Sequence, residues 1–262
     1  MLVFSAICPH PPILIPAIGK DNLEKIKDTV NAMKKLETDL YASKPEIIII
    51  ISPHGEIIPD AFCLNLNTKY TAGFEEFGDF QTKMEFKSTP LLALNIKERV
   101  ESHLPLVLSS SDNLDHGAAV PLFYLTKHLK NIEILPICYS LLDYDKHFEF
   151  GQLIKKEIAK SEKRIAVIAS GDMSHALTEG APARYSPKGA EFDKKFIQLL
   201  QRKDVRGIMK MDSKLIDKAA ECGMRSFITL FGILDEYKYE PEIYSYEGPF
   251  GVGYLVANFR FV

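Results

Sequence analysis

The sequence predicts an α/β fold, a single domain over residues 1–262 with a mostly parallel central sheet covered by helices. Three observations predict it. Ile47 to Ile51 is a run of five isoleucines, too continuous and too β-branched for a strand with one wet face, and it reads as a central strand buried on both sides. An N-terminal strand, Leu2 to Cys8, precedes it with a helical pattern between, and strand, helix, strand in that order is a parallel crossover. Apolar strands also keep ending in the same punctuation: Pro9-His10-Pro11-Pro12 after the first, Ser52-Pro53-His54-Gly55 after the second. Open parallel sheets place their ligands at that edge.

Taken in order, Pro11 to Gly19 is too proline-rich for a regular element and too apolar for a free loop, so it packs across the mouth of the sheet. Asp21 caps a helix expected from Asn22 to Ser43, where Leu23, Ile26, Val30, Met33, Leu36 and Leu40 recur at helical spacing. Phe62 to Leu66 returns to strand. Gly73 to Thr89 mixes phenylalanines with acids and reads as an insertion or hairpin near the site, a substitute for a lid or a contact between copies. Pro90 to His103 reads as helix, Pro105 to Leu108 as strand, Ala118 to Leu129 as helix and Glu133 to Cys138 as strand. A basic amphipathic helix from Phe148 to Ser161 precedes a strand from Arg164 to Ala169, which ends in Ser170-Gly171-Asp172-Met173-Ser174-His175. Pro187 to Gln201 and Ser213 to Leu234 are the last helices, and Ile243 to Tyr246 and Val252 to Phe261 close the sheet.

Thirty-two basic and thirty-five acidic residues give a net charge of −3, which offers no electrostatic case for nucleic acid or an anionic membrane. No stretch approaches the roughly 18 apolar residues of a spanning helix, and no leader pattern is read at the start. The four cysteines, at 8, 63, 138 and 222, form no C-x-x-C pair. Reduced thiols and a cytoplasmic location are the expectation.

The seven histidines divide in two. His103, His128 and His147 sit among lysines and acids and read as solvated surface. His10, His54, His116 and His175 follow strands or lie in glycine-punctuated loops, and parallel strands send such ends to one rim. Two neutral imidazoles suit zinc, copper, nickel or iron, and with one carboxylate they make a facial triad that leaves positions open on Fe(II). His10 and His54 are the first two ligands expected.

With Leu114-Asp115-His116-Gly117 and Gly171-Asp172-Met173-Ser174-His175, the two proline-flanked histidine motifs form an ordered set spanning nearly the whole chain. The set resembles the catalytic-subunit (LigB-type) class III extradiol ring-cleavage dioxygenases. The resemblance implies non-haem Fe(II) held by His10, His54 and a glutamate, with dioxygen inserted beside a catechol diol. It implies that His175 is the acid/base and that His116 helps bind substrate and oxygen. Glu221 matches the glutamate by its distance from the C-terminus; Asp112, Asp115 and Glu56 are the fallbacks.

The next residue opens a rival. The family is related to Memo-like proteins, whose metal-site residues include a cysteine in a comparable Cys-Gly segment, and Glu221-Cys222-Gly223 matches both patterns. Stand-alone chains of this kind also resemble the protein A and B components of the AmmeMemoRadiSam system. Under that reading Cys222 joins His10 and His54, and copper or zinc replaces iron. The expected partners are a catecholic small molecule and O2, with a homo-oligomer or a small accessory subunit as further possibilities. Arg225 and Arg184 could each meet a substrate carboxylate or a protein one. Zinc-dependent hydrolysis is compatible with two histidines and a carboxylate but has no sequence support of its own.

Overall fold

The structure is a computed structural model that describes residues 1–262. Its strands are β1 (Leu2–Cys8), β2 (Ile47–Ser52), β3 (Phe62–Asn65), β4 (Lys69–Phe74), β5 (Asp79–Ser88), β6 (Leu106–Ser109), β7 (Glu133–Cys138), β8 (Ile165–Ser170), β9 (Tyr239–Glu247) and β10 (Tyr254–Phe261). They form one ten-stranded sheet whose main path runs β4-β5-β7-β2-β8-β1-β10-β9, with β3 on β7 and β6 on β3. The centre, β7-β2-β8-β1, is parallel throughout, and β10 adds antiparallel to β1.

The isoleucine strand lies between β7 and β8. Successive side chains point to opposite faces, so Ile47, Ile49 and Ile51 enter one core and Ile48 and Ile50 the other. The first core is covered by α3 (Pro90–Glu101), α5 (Tyr144–Lys160), α6 (Pro187–Gln201) and α9 (Met224–Leu234). The second is covered by α2 (Lys27–Ala42) and α4 (His116–Leu125). Both faces are dry, which is why the run does not alternate with polar residues. Each fully buried isoleucine contributes about 1.5 to 3 kcal/mol.

Register decides where function can sit. Cys8 pairs with Ser170 and Ile51 with Ala169, so β1, β2 and β8 end side by side. The residues that follow them, His10, His54 and Asp172 to His175, therefore emerge at one edge.

Several elements depart from the sequence reading. The first long helix begins as α1 (Pro16–Gly19) and a 3-10 stretch from Lys20 to Ile26 before α2 starts at Lys27, and Asp21 caps nothing. Gly73 to Thr89, by contrast, holds the expected hairpin: β4 and β5 pair antiparallel and the tip turns through Gly78 at φ +86°. After α7 (Val205–Met209), the single helix expected from Ser213 to Leu234 is two. α8 (Ser213–Ala219) stops at Ala220, which adopts φ +51°, and α9 restarts at Met224. His147 is also not surface. It is fully buried in α5, against Phe62 and Tyr139, with its nitrogens 2.8 Å from the Asp143 carbonyl and 3.1 Å from that of Ser140. Its lysine and glutamate neighbours occupy the opposite face of the helix. No helix is long and apolar enough to cross a membrane.

Candidate metal centre

His10 is carried two residues beyond β1 and is buried. Its backbone N–H donates to Asp172 Oδ1 at 3.0 Å, and its Nδ1 lies 2.9 Å from Ser170 Oγ. The Ser170 hydroxyl already donates its one proton to the Gly117 carbonyl, at 2.5 Å. It must accept from His10, so the ring proton sits on Nδ1 and the Nε2 lone pair is free. A hydrogen bond of this kind fixes the tautomer and orientation of a ligating imidazole.

That lone pair faces two other donor atoms. His54 Nε2 is 3.0 Å away and Cys222 Sγ 3.7 Å, and the three ligand atoms lie within 4.8 Å of one another. Burial, then the nearby imidazoles of His116 and His175, holds the His10 pKa well below the usual histidine value. Burial, then His10, His116 and His175, brings His54 down to about 3. Both rings are therefore held as neutral imidazoles, the form that offers a lone pair to a metal. Tetrahedral metal–nitrogen and metal–sulfur bonds put neighbouring ligand atoms roughly 3.3 Å (N to N) and 3.6 Å (N to S) apart. The donor set fits a thiophilic or borderline metal.

Cys222 reaches the trio because the chain between α8 and α9 is tied to the segment after β8. The Asp172 N–H points at Cys222 Sγ (3.3 Å), the Cys222 N–H at the Asp172 carbonyl (3.4 Å), and His175 N–H at the Ala219 carbonyl (2.9 Å). A methyl group on Gly171 would overlap the Cα of Gly223, so this close approach requires glycine. Burial raises the Cys222 thiol well above its ordinary pKa. Metal binding would accordingly displace a proton from it.

His116 and His175 join the same cleft. The His116 ring stacks on His54 at 4.3 Å and lies 5.6 Å from His10. It is the first residue of α4, positioned by the Asp115 cap, which accepts from Ala118 and from the Ser52 hydroxyl. His175 Nε2 is 4.0 Å from Asp172 Oδ2, and its Nδ1 is buried without a partner. The hairpin tip adds Phe77, whose ring meets His116 edge-on at 5.3 Å. The cleft has a volume of about 360 Å³. The four strand-end histidines thus converge.

Glu221 is outside the trio. One of its carboxylate oxygens accepts the Met224 N–H at 2.6 Å, satisfying the start of α9, and burial raises its pKa to about 7. Of the fallbacks, Asp115 is the helix cap, and Asp112 and Glu56 are exposed. His103 and His128 are on the surface as expected. Asp172 is a residue the sequence reading passed over. It is buried, its oxygens reach His10 and His175, and burial lifts its pKa to about 6. Its place beside His175 in a strand-end motif was the available signal.

Residues 5–257 match the family model of the catalytic LigB subunit of aromatic ring-opening dioxygenase. The chain belongs to the LigB family. Its similarity extends to protein CA_C1420 of Clostridium acetobutylicum, 34% identical over an alignment that covers 96% of this chain and 56% of that one. This LigB chain thus spans little more than half the length of that relative. A MEMO1 family protein of Methanosarcina acetivorans is 28% identical over 228 residues, 84% of this chain and 69% of its own. The 3,4-dihydroxyphenylacetate 2,3-dioxygenase of Escherichia coli is 26% identical over 163 residues, 58% and 57% of the two chains. The crystal structure of protein JW3007 from Escherichia coli K12 superposes with a TM-score of 0.70 over 98% of this chain and 99% of that one, at 16% identity, a likeness of fold.

Proposed function

We propose that this LigB-family protein is a Memo-like metal-binding redox protein, with His10, His54 and Cys222 as ligands and copper as the metal, zinc being the alternative. One observation carries the reading: two imidazole nitrogens and a thiol sulfur lie within 4.8 Å of one another, while Glu221 is engaged by Met224. Two imidazoles and a thiolate suit copper and zinc better than oxygen-activating iron. Copper, when bound, supplies one-electron redox chemistry. The chain's own residues do the rest. Ser170 holds the His10 tautomer, Asp172 braces the backbone of His10 and the Cys222 segment, and His116 and His175 are placed to hold or move protons at a ligand in the cleft. Metal analysis and absorption spectroscopy of anaerobically purified protein test this. A copper–thiolate band lost in Cys222→Ser supports it. Stoichiometric iron that survives the substitution refutes it.

A second reading keeps ring cleavage. The convergence of His116 and His175 on a cleft large enough for one aromatic ring favours Fe(II)-dependent extradiol cleavage of a catechol by O2, with Glu221 as third ligand. His175 would then take a diol proton as base and return one as acid, and His116 would donate to the substrate oxygen. It requires Glu221 to leave Met224 and turn inward. Oxygen uptake by iron-loaded protein with a panel of catechols separates the readings: stoichiometric uptake with a yellow ring-fission product establishes the second and removes the first.

A further inference from the structure

Part of the cleft wall is built by the start of β10. β1 and β10 pair antiparallel with Ala6 opposite Asn258 and Ile7 opposite Ala257, and the same register carried past the end of β1 sets Tyr254 level with His10. The preceding residue locks that placement. The Gly253 N–H donates to the Ser174 carbonyl and the Met173 N–H to the Gly253 carbonyl, both at 2.8 Å, so Tyr254 is tied to the segment that carries Asp172 and His175. Tyr254 lines the cleft with all four histidines. The two arginines weighed in the sequence do not: Arg184 lies in a separate surface groove, and Arg225 packs over Tyr139 and Tyr144.

The hydroxyl of Tyr254 has nothing to bind within the protein. Tyr70 and Tyr124, about as deeply buried, donate to main-chain carbonyls at 2.7 and 2.6 Å. Tyr254 is 3% exposed and makes no such bond, yet its oxygen is not sealed in, so the little exposure it keeps reaches the hydroxyl. Burial, then the charges of Asp172 and Glu247, raises its pKa and keeps it a neutral donor. Those two carboxylates are engaged elsewhere, Asp172 by the His10 N–H and Glu247 by the N–H and hydroxyl of Thr29. A buried phenol ordinarily finds a partner, because an unpaired O–H forfeits the hydrogen bond it had in water. We propose that Tyr254 is a ligand-binding residue of the cleft, its phenol donating to a hydroxyl, phenolate or carbonyl oxygen of the small molecule held beside His10 and His54. The inference rests on the reading that the cleft takes a small-molecule ligand, and it holds for either metal.

The test uses the full-length zinc-loaded protein, since zinc has no redox chemistry with which to oxidise a phenol. The probe is 4-methylcatechol, and the tyrosines carry 13C at Cζ. The Cζ resonance of Tyr254, assigned by its loss in Tyr254→Phe, is expected to shift as 4-methylcatechol is added, because this carbon responds to what its own oxygen binds. Calorimetry should find the probe bound about tenfold more weakly by Tyr254→Phe, the loss of one hydrogen bond from an otherwise unchanged ring. The unfolding midpoint should move little, because in the free protein the hydroxyl holds nothing. A tyrosine that only filled the wall would lose no affinity on becoming phenylalanine. Equal binding by wild type and Tyr254→Phe, or a Cζ resonance that stays in place while the probe binds, overturns this proposal and leaves the reading of the cleft standing. A wild-type protein that holds zinc and binds no 4-methylcatechol overturns the small-molecule reading, and this proposal with it.

Discussion

The rim of the sheet and the break between α8 and α9 deliver the three donor atoms of the candidate site by different means. His10 and His54 stand just past strands locked by parallel ladders on both sides, and their positions follow from the pairing of Cys8 with Ser170 and of Ile51 with Ala169. Cys222 stands where a helix has been interrupted, and it is placed by hydrogen bonds to a loop fifty residues away in sequence. A strand end is local geometry that the core enforces. A helix break is a tertiary agreement, and it can fail while the fold survives.

If the rim is the rigid half, its loss should be the most damaging to metal binding. His10→Ala removes the one donor atom that faces both other ligands, and metal affinity should fall by more than the ~100-fold typical of losing a ligand's supporting hydrogen bond. Equilibrium dialysis with copper and zinc measures it, and near wild-type affinity would mean the trio is not the site. The paired substitutions Cys222→Ser and Glu221→Gln sharpen the other half. Cys222→Ser should lose about as much affinity as removing any one ligand, with the fold intact by circular dichroism. Glu221→Gln should keep the metal and lose about 1 kcal/mol of stability as the α9 cap weakens. The reverse pattern would make the carboxylate the ligand.

The same contrast explains what could be read from the chain alone. The isoleucine run, the strand-end punctuation and the order of four histidine motifs are local signals, and they led to the central sheet and to the convergence of His10, His54, His116 and His175. The placement of Cys222 beside His10, with Glu221 turned to Met224, was illegible because 213–234 has continuous helical periodicity. Nothing within it announces that Ala220 adopts a left-handed conformation. The break follows from contacts with Gly171 and Asp172, which no window of residues contains. His147 misled for a related reason: polar neighbours along a helix describe the opposite face, not the residue's own.

A titratable group lies under the segment by which the helix break is tied to the rim. Asp193 of α6 is buried and accepts the Ser174 N–H at 2.9 Å and the Tyr246 hydroxyl at 2.5 Å, so it props the loop that holds Cys222. Burial raises its pKa to about 6, against 3.8 unperturbed. A carboxyl whose folded pKa is raised binds its proton more tightly when folded. Its stabilising contribution is therefore full below the unfolded value and is lost as pH rises through about 6. The loss should total roughly 2 to 3 kcal/mol at neutral pH. Asp193→Asn should flatten stability between about pH 4 and 6.5 in urea titrations, relative to wild type. An identical pH profile for the two proteins would show that Asp193 ionises as freely folded as unfolded.

The smallest expected effect comes from the β4–β5 hairpin, which touches the rim without belonging to it. Phe77 is partly exposed at the tip and meets only the edge of the His116 ring, while His116 is otherwise held by its stack on His54 and the cap at Asp115. Removing one aromatic partner of this geometry is worth about 0.5 to 1.5 kcal/mol. Phe77→Ala should therefore leave metal affinity unchanged and weaken binding of an aromatic ligand in the cleft by about threefold to tenfold, with the unfolding midpoint shifted little. Parallel calorimetry with metal and with 3,4-dihydroxyphenylacetate separates the two quantities. If metal affinity falls as far as ligand affinity, the hairpin is not a wall laid against a rigid rim. The imidazoles would then depend on distant contacts, as the thiol does.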